Sequence, residues 1–349
     1  MFQPISQIID RGLDARLYSG AAIGIARGSD TLYTGYYGHT SFDDDAEAIG
    51  HGTLFDLASV TKIASTTLIA LRFLDRGLLR LEDKVSDYFA QATEARDITI
   101  RQLMTHTSGE PAHFLIADET ETPEGIRELL LHRPLAARPG ETEAYSCIGF
   151  ILLGEILKTI GGKPLDTLFR DEVTGPLQLS TMQYGPIDGP HVAQTRDLST
   201  GTILQGVVHD ENARFQHGIS ANAGLFSNVG DLLIIAKMLA AMGKSPARPY
   251  LSPASLRAAV QNYTPGMAED RGLGFFLGSN RGSSLGDLAG NNSFGHTGFT
   301  GTSLAVVPEY DLSIVFLSNR VLSEADSRET VRLRANLHNA IVAEVSKQG

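Results

Sequence analysis

Apolar and polar positions follow different patterns along the chain, which divides into two strand-rich ends and a helical middle. Near the start, residues 4–17 place their large apolar side chains on one side and predict a helix. Two apolar runs at residues 21–26 and 31–37, joined by a Gly-Ser-Asp turn, predict a β-hairpin. The last third of the sequence predicts three strands and a closing helix, at residues 272–277, 302–307, 312–318 and 328–345. Because these strands are apolar on both faces, we expect one antiparallel sheet covered by helices on each side.

The middle of the chain is dominated by helical patterns and long loops. Thr99 occupies the expected N-cap of a short helix, and residues 148–160 predict an apolar helix that a Gly-Gly pair ends. We therefore predict an α+β fold in which residues 1–80 and 231–349 build the sheet domain and residues 81–230 form a mostly helical insertion. The cleft between these two parts is the expected place for a functional site.

One helical stretch is apolar around most of its circumference and is therefore predicted to be buried. Residues 63–71 contain no charge, and Gly77 is the expected stop signal. Ser59 and Lys62 lie at the start of this stretch on one helical face, and burial and the helix dipole are both expected to lower the pKa of the lysine. Such a lysine beside a serine can activate a nucleophile. On this stretch alone, Ser59 as an N-cap and Lys62 as a surface residue explain the pattern equally well.

Composition and charge narrow the possible functions. The 349 residues carry a formal net charge of −11, which argues against nucleic acid or an anionic membrane as a partner. The single cysteine, Cys147, excludes an internal disulfide and suits a reducing compartment. There is no signal-peptide pattern and no transmembrane run, so we expect a cytoplasmic protein, or a periplasmic one if a leader precedes this sequence in nature.

Several common catalytic and cofactor motifs are missing from the sequence. It contains no Gly-x-Ser-x-Gly pentapeptide, no Walker loop and no dinucleotide fingerprint. The nearest approach to a metal site is His209-Asp210-Glu211 with His217, but polar loop residues that bind the backbone explain this group better. No metal and no cofactor are therefore expected.

Three separated stretches carry residue types that together would form a catalytic site. They are Ser59 with Lys62, then Tyr145, and then His296-Thr297-Gly298. A phenol near a lysine can pass a proton between a serine and a leaving group. A glycine at a sheet edge lets substrate approach the backbone closely. Taken singly, Tyr145 is equally a packing residue and His296 an exposed loop residue.

The order and spacing of these stretches resemble the serine β-lactamase and penicillin-binding-protein superfamily. The matching stretches are Ser59-Val60-Thr61-Lys62, Tyr145-Ser146-Cys147 and His296-Thr297-Gly298. The branch resembled contains class C β-lactamases, DD-carboxypeptidases, D-aminopeptidases and related esterases, and the resemblance extends over about residues 20–320. The surrounding sequence agrees at positions 55–58, 103–109, 149–154, 208–213 and 223–227. This resemblance implies an antiparallel sheet flanked by helices plus a helical domain, as the pattern itself predicts.

The resemblance also implies a role for each motif residue. Ser59 would attack a carbonyl group and become acylated, while Lys62 and Tyr145 would share the general base and acid work in an order that remains open. The oxyanion hole would consist of the backbone N–H groups of Ser59 and Phe299. His296 stands where many members carry lysine, and as a partly charged histidine it would hold a substrate carboxylate less firmly.

The sequence departs from the superfamily at Cys147, where most members have asparagine. A thiol is a weak donor and acceptor, so one amide-recognising contact is missing. The simpler explanation, which we favour, is that Cys147 is a small filler at a helix start, although the amide contact is missing in either case. With Cys147 and His296 at these positions, we do not expect efficient β-lactam hydrolysis. The implied substrate-binding residues are Cys147, His296, Thr297 and Gly298.

These features predict a serine hydrolase that cleaves a small amide or ester through an acyl-enzyme on Ser59. The expected substrate is a D-amino-acid or muropeptide-type peptide. A carboxylesterase on the same fold is the first alternative. A non-catalytic penicillin-binding or sensor module, which would be acylated without turnover, is an alternative of a different class.

Overall fold

The computed structural model describes residues 2–245, 249–280 and 284–347. The strands of these residues are β1 Gly20–Arg27, β2 Asp30–Gly38, β3 Phe55–Asp56, β4 Gln183–Tyr184, β5 Thr195–Arg196, β6 Ile203–Leu204, β7 Leu225–Ser227, β8 Phe276–Leu277, β9 Phe294–Thr297, β10 Ser303–Val307 and β11 Leu312–Ser318. The α-helices are α1 Gln3–Asp14, α2 Thr67–Asp75, α3 Val85–Tyr88, α4 Ile100–Met104, α5 Ile126–His132, α6 Cys147–Gly161, α7 Leu165–Phe169, α8 Gly175–Leu177, α9 Glu211–Phe215, α10 Val229–Ala240, α11 Pro253–Ala259 and α12 Ser327–Ser346. None of these helices is long and apolar enough to cross a bilayer.

Strands from both ends of the sequence form one six-stranded antiparallel sheet, in the order β2-β1-β11-β10-β9-β8. The two ends meet where β1 pairs with β11, with Ala21 opposite Ser318. The predicted hairpin and the predicted sheet built from both termini are thus confirmed. A smaller sheet of order β3-β7-β4 connects the region before the buried helix with the end of the helical middle. The domain boundaries at residues 80 and 231 stay a prediction.

Both faces of the main sheet are covered by helices because successive residues of its central strands point to opposite sides. On one face, Ile23 belongs to an apolar cluster with Ile9 of α1 and Ile341 of α12. On the other face, Ala22 belongs to the larger cluster that contains Leu232 of α10 and the buried helices of the middle region. This arrangement confirms the predicted fold class.

Most predicted helices are present, with small changes at their ends. Thr99 caps α4 by accepting a hydrogen bond from the N–H of Gln102 at 3.2 Å. Helix α6 ends where Gly162 adopts a left-handed conformation (φ +63°) and donates its N–H to the carbonyl of Lys158. The first helix ends at Asp14, three residues before its predicted end.

One predicted strand, at residues 272–277, is largely wrong. Only Phe276 and Leu277 are in a strand. The residues before them form a loop, and its backbone hydrogen bonds do not belong to a β-sheet. Leu273 donates its N–H to the carbonyl of Ala259, and Gly274 donates to that of Met104. Gly274 has φ +81° and lies so close to Thr67 that a Cβ would be 2.2 Å from its hydroxyl oxygen. This apolar segment with two glycines therefore packs against α2 as a loop, although its sequence pattern predicts a strand.

Candidate active site

A cavity of about 710 Å³ lies beside the end of the sheet formed by β8, β9 and the turn after β9. Its lining comes from widely separated parts of the sequence. Among the predicted site residues, it includes Ser59, Tyr145, Cys147, Thr297, Gly298 and Phe299. The three stretches singled out in the sequence thus do meet in one cleft.

Ser59 lies on a tight turn that precedes regular helix. Residues Ala58–Val60 form a 3₁₀ turn, and Ala58 has φ +45°, an unusual conformation for a residue with a side chain. The carboxylate of Asp56 holds this turn by accepting the N–H of Ala58 at 2.8 Å and that of His209 at 2.7 Å. Burial raises the pKa of Asp56, while these two hydrogen bonds favour its ionised form. The predicted buried stretch is confirmed, but its α-helix begins only at Thr67.

Lys62 is fully buried and directs its ammonium group towards Ser59. Its Nζ donates to the Oγ of Ser59 at 3.0 Å, to the carbonyl of Asn222 at 2.9 Å and to the Sγ of Cys147 at 3.5 Å. Lys62–Thr66 form a single π-helical turn, a feature that recurs at functional sites. An ammonium group has three donors, and here all three have acceptors.

The predicted fall in the pKa of Lys62 is wrong. Burial lowers the pKa, but electrostatic interactions with the neighbouring Cys147 and Tyr145, including a hydrogen bond with Tyr145, outweigh burial and raise the pKa to about 12. The sequence argument included only burial and the helix dipole, since Cys147 and Tyr145 come from a distant segment. In the resting site, Lys62 is therefore protonated near neutral pH.

Tyr145 is half-buried, lines the cavity and lies among aromatic rings and cations. The ring of His106 lies 4.5 Å from its own, and Lys62 Nζ lies 5.1 Å from the centre of its ring. Burial raises the pKa of Tyr145, while the charge of Lys62 and hydrogen bonds with Lys62 and Ser59 act in the opposite direction. The resting pair is thus a neutral phenol beside an ammonium.

His106 fixes the segment around Tyr145 in a way that the sequence did not reveal. Its carbonyl accepts the N–H of Ala144 at 2.9 Å, and its Nδ1 accepts the N–H of Ser146 at 3.0 Å. The hydroxyl of Ser146 then caps helix α6 by accepting the N–H of Gly149 at 3.1 Å. Burial, and then the charge of Arg271, hold the pKa of His106 well below its usual range, so its ring is neutral and Nδ1 is free to accept.

His296 does not lie where the sequence predicts a carboxylate-binding residue. It is 1% exposed on strand β9, its ring stacks on Phe276 at 4.4 Å, and its Nδ1 donates to the carbonyl of Thr297 at 2.8 Å. Burial and then the charge of Lys62 hold the pKa of His296 well below its usual range. The expectation of a partly charged His296 that holds a carboxylate is therefore wrong. Its Nε2 is buried and has no hydrogen-bond partner among the described residues.

The turn after β9 brings the backbone close to Ser59. A Cβ at Gly298 would lie 2.1 Å from the Oγ1 of Thr302 and 2.4 Å from the carbonyl oxygen of Leu57, so only glycine fits. The hydroxyl of Thr302 donates to that same carbonyl of Leu57 at 3.0 Å. This contact ties the turn containing Phe299 to the turn containing Ser59. The oxyanion hole formed by the N–H groups of these two residues stays a prediction.

His209 and Asp210, which belong to the nearest approach to a metal site in the sequence, form hydrogen bonds with the backbone and with a neighbouring side chain. His209 bonds through its Nε2 to the carbonyl of Arg196 at 3.0 Å, and Asp210 accepts the N–H of Ala213 at 2.8 Å. Asp210 also accepts from the side chain of Asn222 at 3.1 Å. Within the described ranges there is no group of His, Cys, Asp and Glu residues that could hold a metal ion.

Three arginines that the sequence analysis did not single out line the same cavity. They are Arg271, Arg320 and Arg334. None of them belongs to a motif or to an apolar pattern, so the sequence offers no signal for them. Their placement depends on the loop before β8, the end of β11 and helix α12 converging at the cavity.

The site and the fold together define a β-lactamase-type serine hydrolase. The Beta-lactamase family model matches residues 5–339, and the chain therefore belongs to this family. A protein of Bacillus subtilis named N-acetylmuramyl-L-alanine amidase is 29% identical, with 90% of this chain and 80% of that protein aligned. A protein of Escherichia coli K12 that bears the name D-alanyl-D-alanine carboxypeptidase is 29% identical, with 77% of this chain and 69% of that protein aligned.

Solved structures confirm the fold. The hydrolase EstCE1, described as having promiscuous acyltransferase activity, superposes with a TM-score of 0.76 at 22% identity and covers 96% of this chain and 97% of its own. A class C β-lactamase from Rhodobacter sphaeroides has a TM-score of 0.76 at 19% identity and covers 97% and 99%. At these identities the likeness concerns the fold alone.

Proposed function

We propose that this protein is a serine amidase or peptidase that cleaves a small amide through an acyl-enzyme on Ser59. Its substrate is a D-amino-acid or muropeptide-type peptide. The observation that carries the proposal is the Lys62 ammonium, which bonds the Oγ of Ser59 at 3.0 Å inside a cavity that Tyr145 also lines. The names of the relatives from Bacillus subtilis and Escherichia coli support the amide and the cell-wall peptide.

The reaction begins with the proton of Ser59. Because the resting pair is an ammonium and a phenol, Lys62 and Tyr145 together must first lose one proton to become a base. The pair then takes the proton of Ser59 as Oγ attacks the substrate carbonyl carbon, and the resulting oxyanion is held by the N–H groups of Ser59 and Phe299. The same proton passes from the pair to the leaving amine as the C–N bond breaks. Water then attacks the acyl-enzyme, with the pair again accepting a proton and returning it to Ser59.

A carboxylesterase is the second candidate. Cys147 places a thiol, which hydrogen-bonds weakly, 3.5 Å from Lys62. Most members of the superfamily that this sequence resembles have an asparagine side chain at this position. The cavity also has exposed apolar side chains at Leu198 and Phe299, which suit the acyl chain of an ester. An ester needs less help for its leaving group than an amide, so loss of one polar contact matters less.

Turnover of four compounds side by side tests these proposals, with Ser59→Ala as the blank. They are a muramoyl-L-alanine peptide, a peptide ending in D-Ala-D-Ala, a p-nitrophenyl ester of a short acid and a chromogenic cephalosporin. We expect Ser59-dependent release of an amine from one of the two peptides. Ser29→Ala, at an exposed turn serine, is the matched control and should retain wild-type rates.

Each other outcome selects an alternative. Ester cleavage without peptide cleavage would make the protein a carboxylesterase. Penicillin labelling of Ser59 without turnover of any compound would make it a binding or sensor module. Rapid cephalosporin turnover would contradict the expectation that Cys147 and a neutral His296 disfavour β-lactam hydrolysis.

A further inference from the structure

The three arginines of the cavity differ in how their charges are neutralised. Arg271 is 3% exposed and bonds Glu143 at 2.9 Å and Glu269 at 2.5 Å. In contrast, neither Arg320 nor Arg334 has a carboxylate within ion-pair distance among residues 2–245, 249–280 and 284–347. Two arginine charges thus face the cavity without a counter-charge from the described protein.

Arg334 is the more unusual of the two because it is almost completely buried. It lies on α12 and is 5% exposed, and its Nε has no hydrogen-bond partner in the part of the chain that the structure describes. Burial, and then the charge of Arg320, lower the pKa of Arg334 to about 10, which still leaves it charged at neutral pH. A buried and unpaired charge is costly to a fold, so a folded protein that keeps one usually has a use for it.

Arg320, Phe299 and Val331 line the same cavity as Arg334, and we call these four residues the arginine wall. The guanidinium of Arg320 lies 4.5 Å above the ring of Phe299, which is 52% exposed. Val331, on α12, is also exposed and lines the cavity. One turn after Arg334 on α12, His338 is buried. Burial and then the charge of Arg334 lower the pKa of His338 to about 3, so it adds no charge. The arginine wall therefore combines two cations with two accessible apolar surfaces.

This local positive charge is not a general property of the protein surface. The chain has 29 basic and 40 acidic residues and a net charge of −11. Three acidic residues line the cavity: Asp210, Glu211 and Glu269. Asp210 bonds Ala213 and Asn222, and Glu269 pairs with Arg271. Glu211 lies in the first turn of α9, and among the described residues no ion pair joins it to Arg320 or Arg334. The two free arginines are thus an exception within an acidic protein, and they lie in the cavity of Ser59.

We infer that the substrate carries a carboxylate that Arg334, assisted by Arg320, binds beside the apolar surface of Phe299 and Val331. This inference rests on the proposed function and specifies its substrate as an acid with an adjoining apolar part. A guanidinium fork matches the two oxygens of a carboxylate and can bind both. Binding an anion also relieves the mutual repulsion of the two arginines. The arginine pair thereby takes the role that His296 cannot perform as a neutral, buried ring.

Matched ester pairs test this inference without requiring the natural substrate. The first pair is the p-nitrophenyl monoester of glutaric acid and p-nitrophenyl valerate, which differ by a carboxylate on the acyl side. The second pair is the acetyl ester of 3-hydroxybenzoate and phenyl acetate, which differ on the leaving-group side. In at least one pair we expect kcat/KM of wild-type protein to favour the acid by at least about tenfold, chiefly through KM.

Variants then identify the residues responsible. Arg334→Gln should lower the ratio of the two kcat/KM values by at least about tenfold, and Arg320→Gln should lower it less. Arg328→Gln, at an exposed position of the same helix, is the matched control and should leave the ratio unchanged. If Arg334→Gln does not fold, competitive inhibition of the wild type by N-acetyl-D-alanine, compared with its neutral amide, provides the same test alongside Arg320→Gln.

The possible failures are distinguishable. Equal Ser59-dependent activity on both members of both pairs would overturn the carboxylate site and leave the hydrolase standing. A second outcome is that no compound is turned over, while N-acetyl-D-alanine binds to the wild type and no longer binds to Arg334→Gln. This result would retain the carboxylate site and reject the proposed hydrolase. An acid preference that survives in Arg334→Gln and Arg320→Gln would overturn the assignment to these arginines.

Discussion

The Nζ of Lys62 donates to the Oγ of Ser59 at 3.0 Å even though both residues precede the first regular turn of helix α2. A 3₁₀ turn and a π-helical turn place them, and both turns are irregular forms of helix. Contacts with distant segments hold this geometry, including the bond from Lys62 to the carbonyl of Asn222. This hydrogen bond makes Lys62 the first residue to test as the group that takes the proton of Ser59.

Replacing Lys62 by methionine should lower the rate of acylation by about 10²–10⁴-fold, because the apolar stem is kept and the proton-transferring group is lost. Stopped-flow measurement of p-nitrophenol release during the first turnover checks this result. Lys237→Met is the control, since Lys237 bonds Ser29 and Thr31 of the hairpin formed by β1 and β2. A folded Lys62→Met protein with a near-normal acylation rate would remove Lys62 from the mechanism.

The activity should rise with pH through the neutral and alkaline range. The pKa of Lys62 is raised to about 12 and that of Tyr145 is raised as well, so the deprotonated pair is scarce near neutral pH. Below these pKa values, the deprotonated fraction grows about tenfold for each pH unit, and kcat/KM for an ester should follow until another step limits it. The measurement is an initial-rate profile with the Ser59→Ala protein as the hydroxide blank. A plateau beginning near pH 6 would contradict a protonated resting Lys62.

KM for an acidic substrate should stay flat from about pH 5 to 8, the range in which an ordinary histidine loses its proton. The pKa of His296 lies well below its usual value because the ring is buried and Lys62 is close. His296 is therefore already neutral at the pH where an ordinary histidine titrates and should not contribute a titrating charge to carboxylate binding there. Steady-state kinetics with the glutarate monoester check the expectation. A KM that increases steeply near pH 6.5 would restore His296 as the binding cation.

Parts of this site were predictable from the sequence because their signals are local. The spacing of Ser59 and Lys62, the apolar run after them and the turn signals of the hairpin each involve only a few adjacent residues. The neutral state of His296 was not predictable, since its ring is covered by Phe276 of β8, a strand that is only two residues long and follows a loop where the sequence predicts a strand. The pKa of Lys62 and the exposure of Arg334 to the cavity likewise depend on segments far apart in the chain. Motifs therefore indicated where the chemistry lies, whereas its charge states required the fold.

Cys147→Asn should raise kcat/KM on amide substrates, because a side-chain amide supplies stronger donors and acceptors than a thiol beside Lys62. One added hydrogen bond to a charged or reacting group would give an increase of about tenfold. Cys147→Ser, which keeps the small volume and lacks the amide, is the matched control and should change the rate less. An unchanged amide rate in Cys147→Asn would show that Cys147 is only a small residue at the start of α6.

His106→Ala should lower kcat by about tenfold or more without a comparable change in KM. His106 holds both neighbours of Tyr145, accepting the N–H of Ala144 through its carbonyl and that of Ser146 through Nδ1. Loss of the ring removes the second bond and the 4.5 Å contact with Tyr145, and small misplacements of a catalytic group are costly to rate.

His106→Asn separates this positioning role from a general loss of stability. An asparagine Oδ1 can take the place of Nδ1 and accept the N–H of Ser146, whereas alanine cannot. The asparagine variant should therefore recover most of kcat, while both variants lose the ring contact with Tyr145. The measurement is kcat and KM for one ester across the pH range, together with the melting temperature of each variant. Equal kcat in the two variants at equal stability would mean that the bond to Ser146 does not position Tyr145.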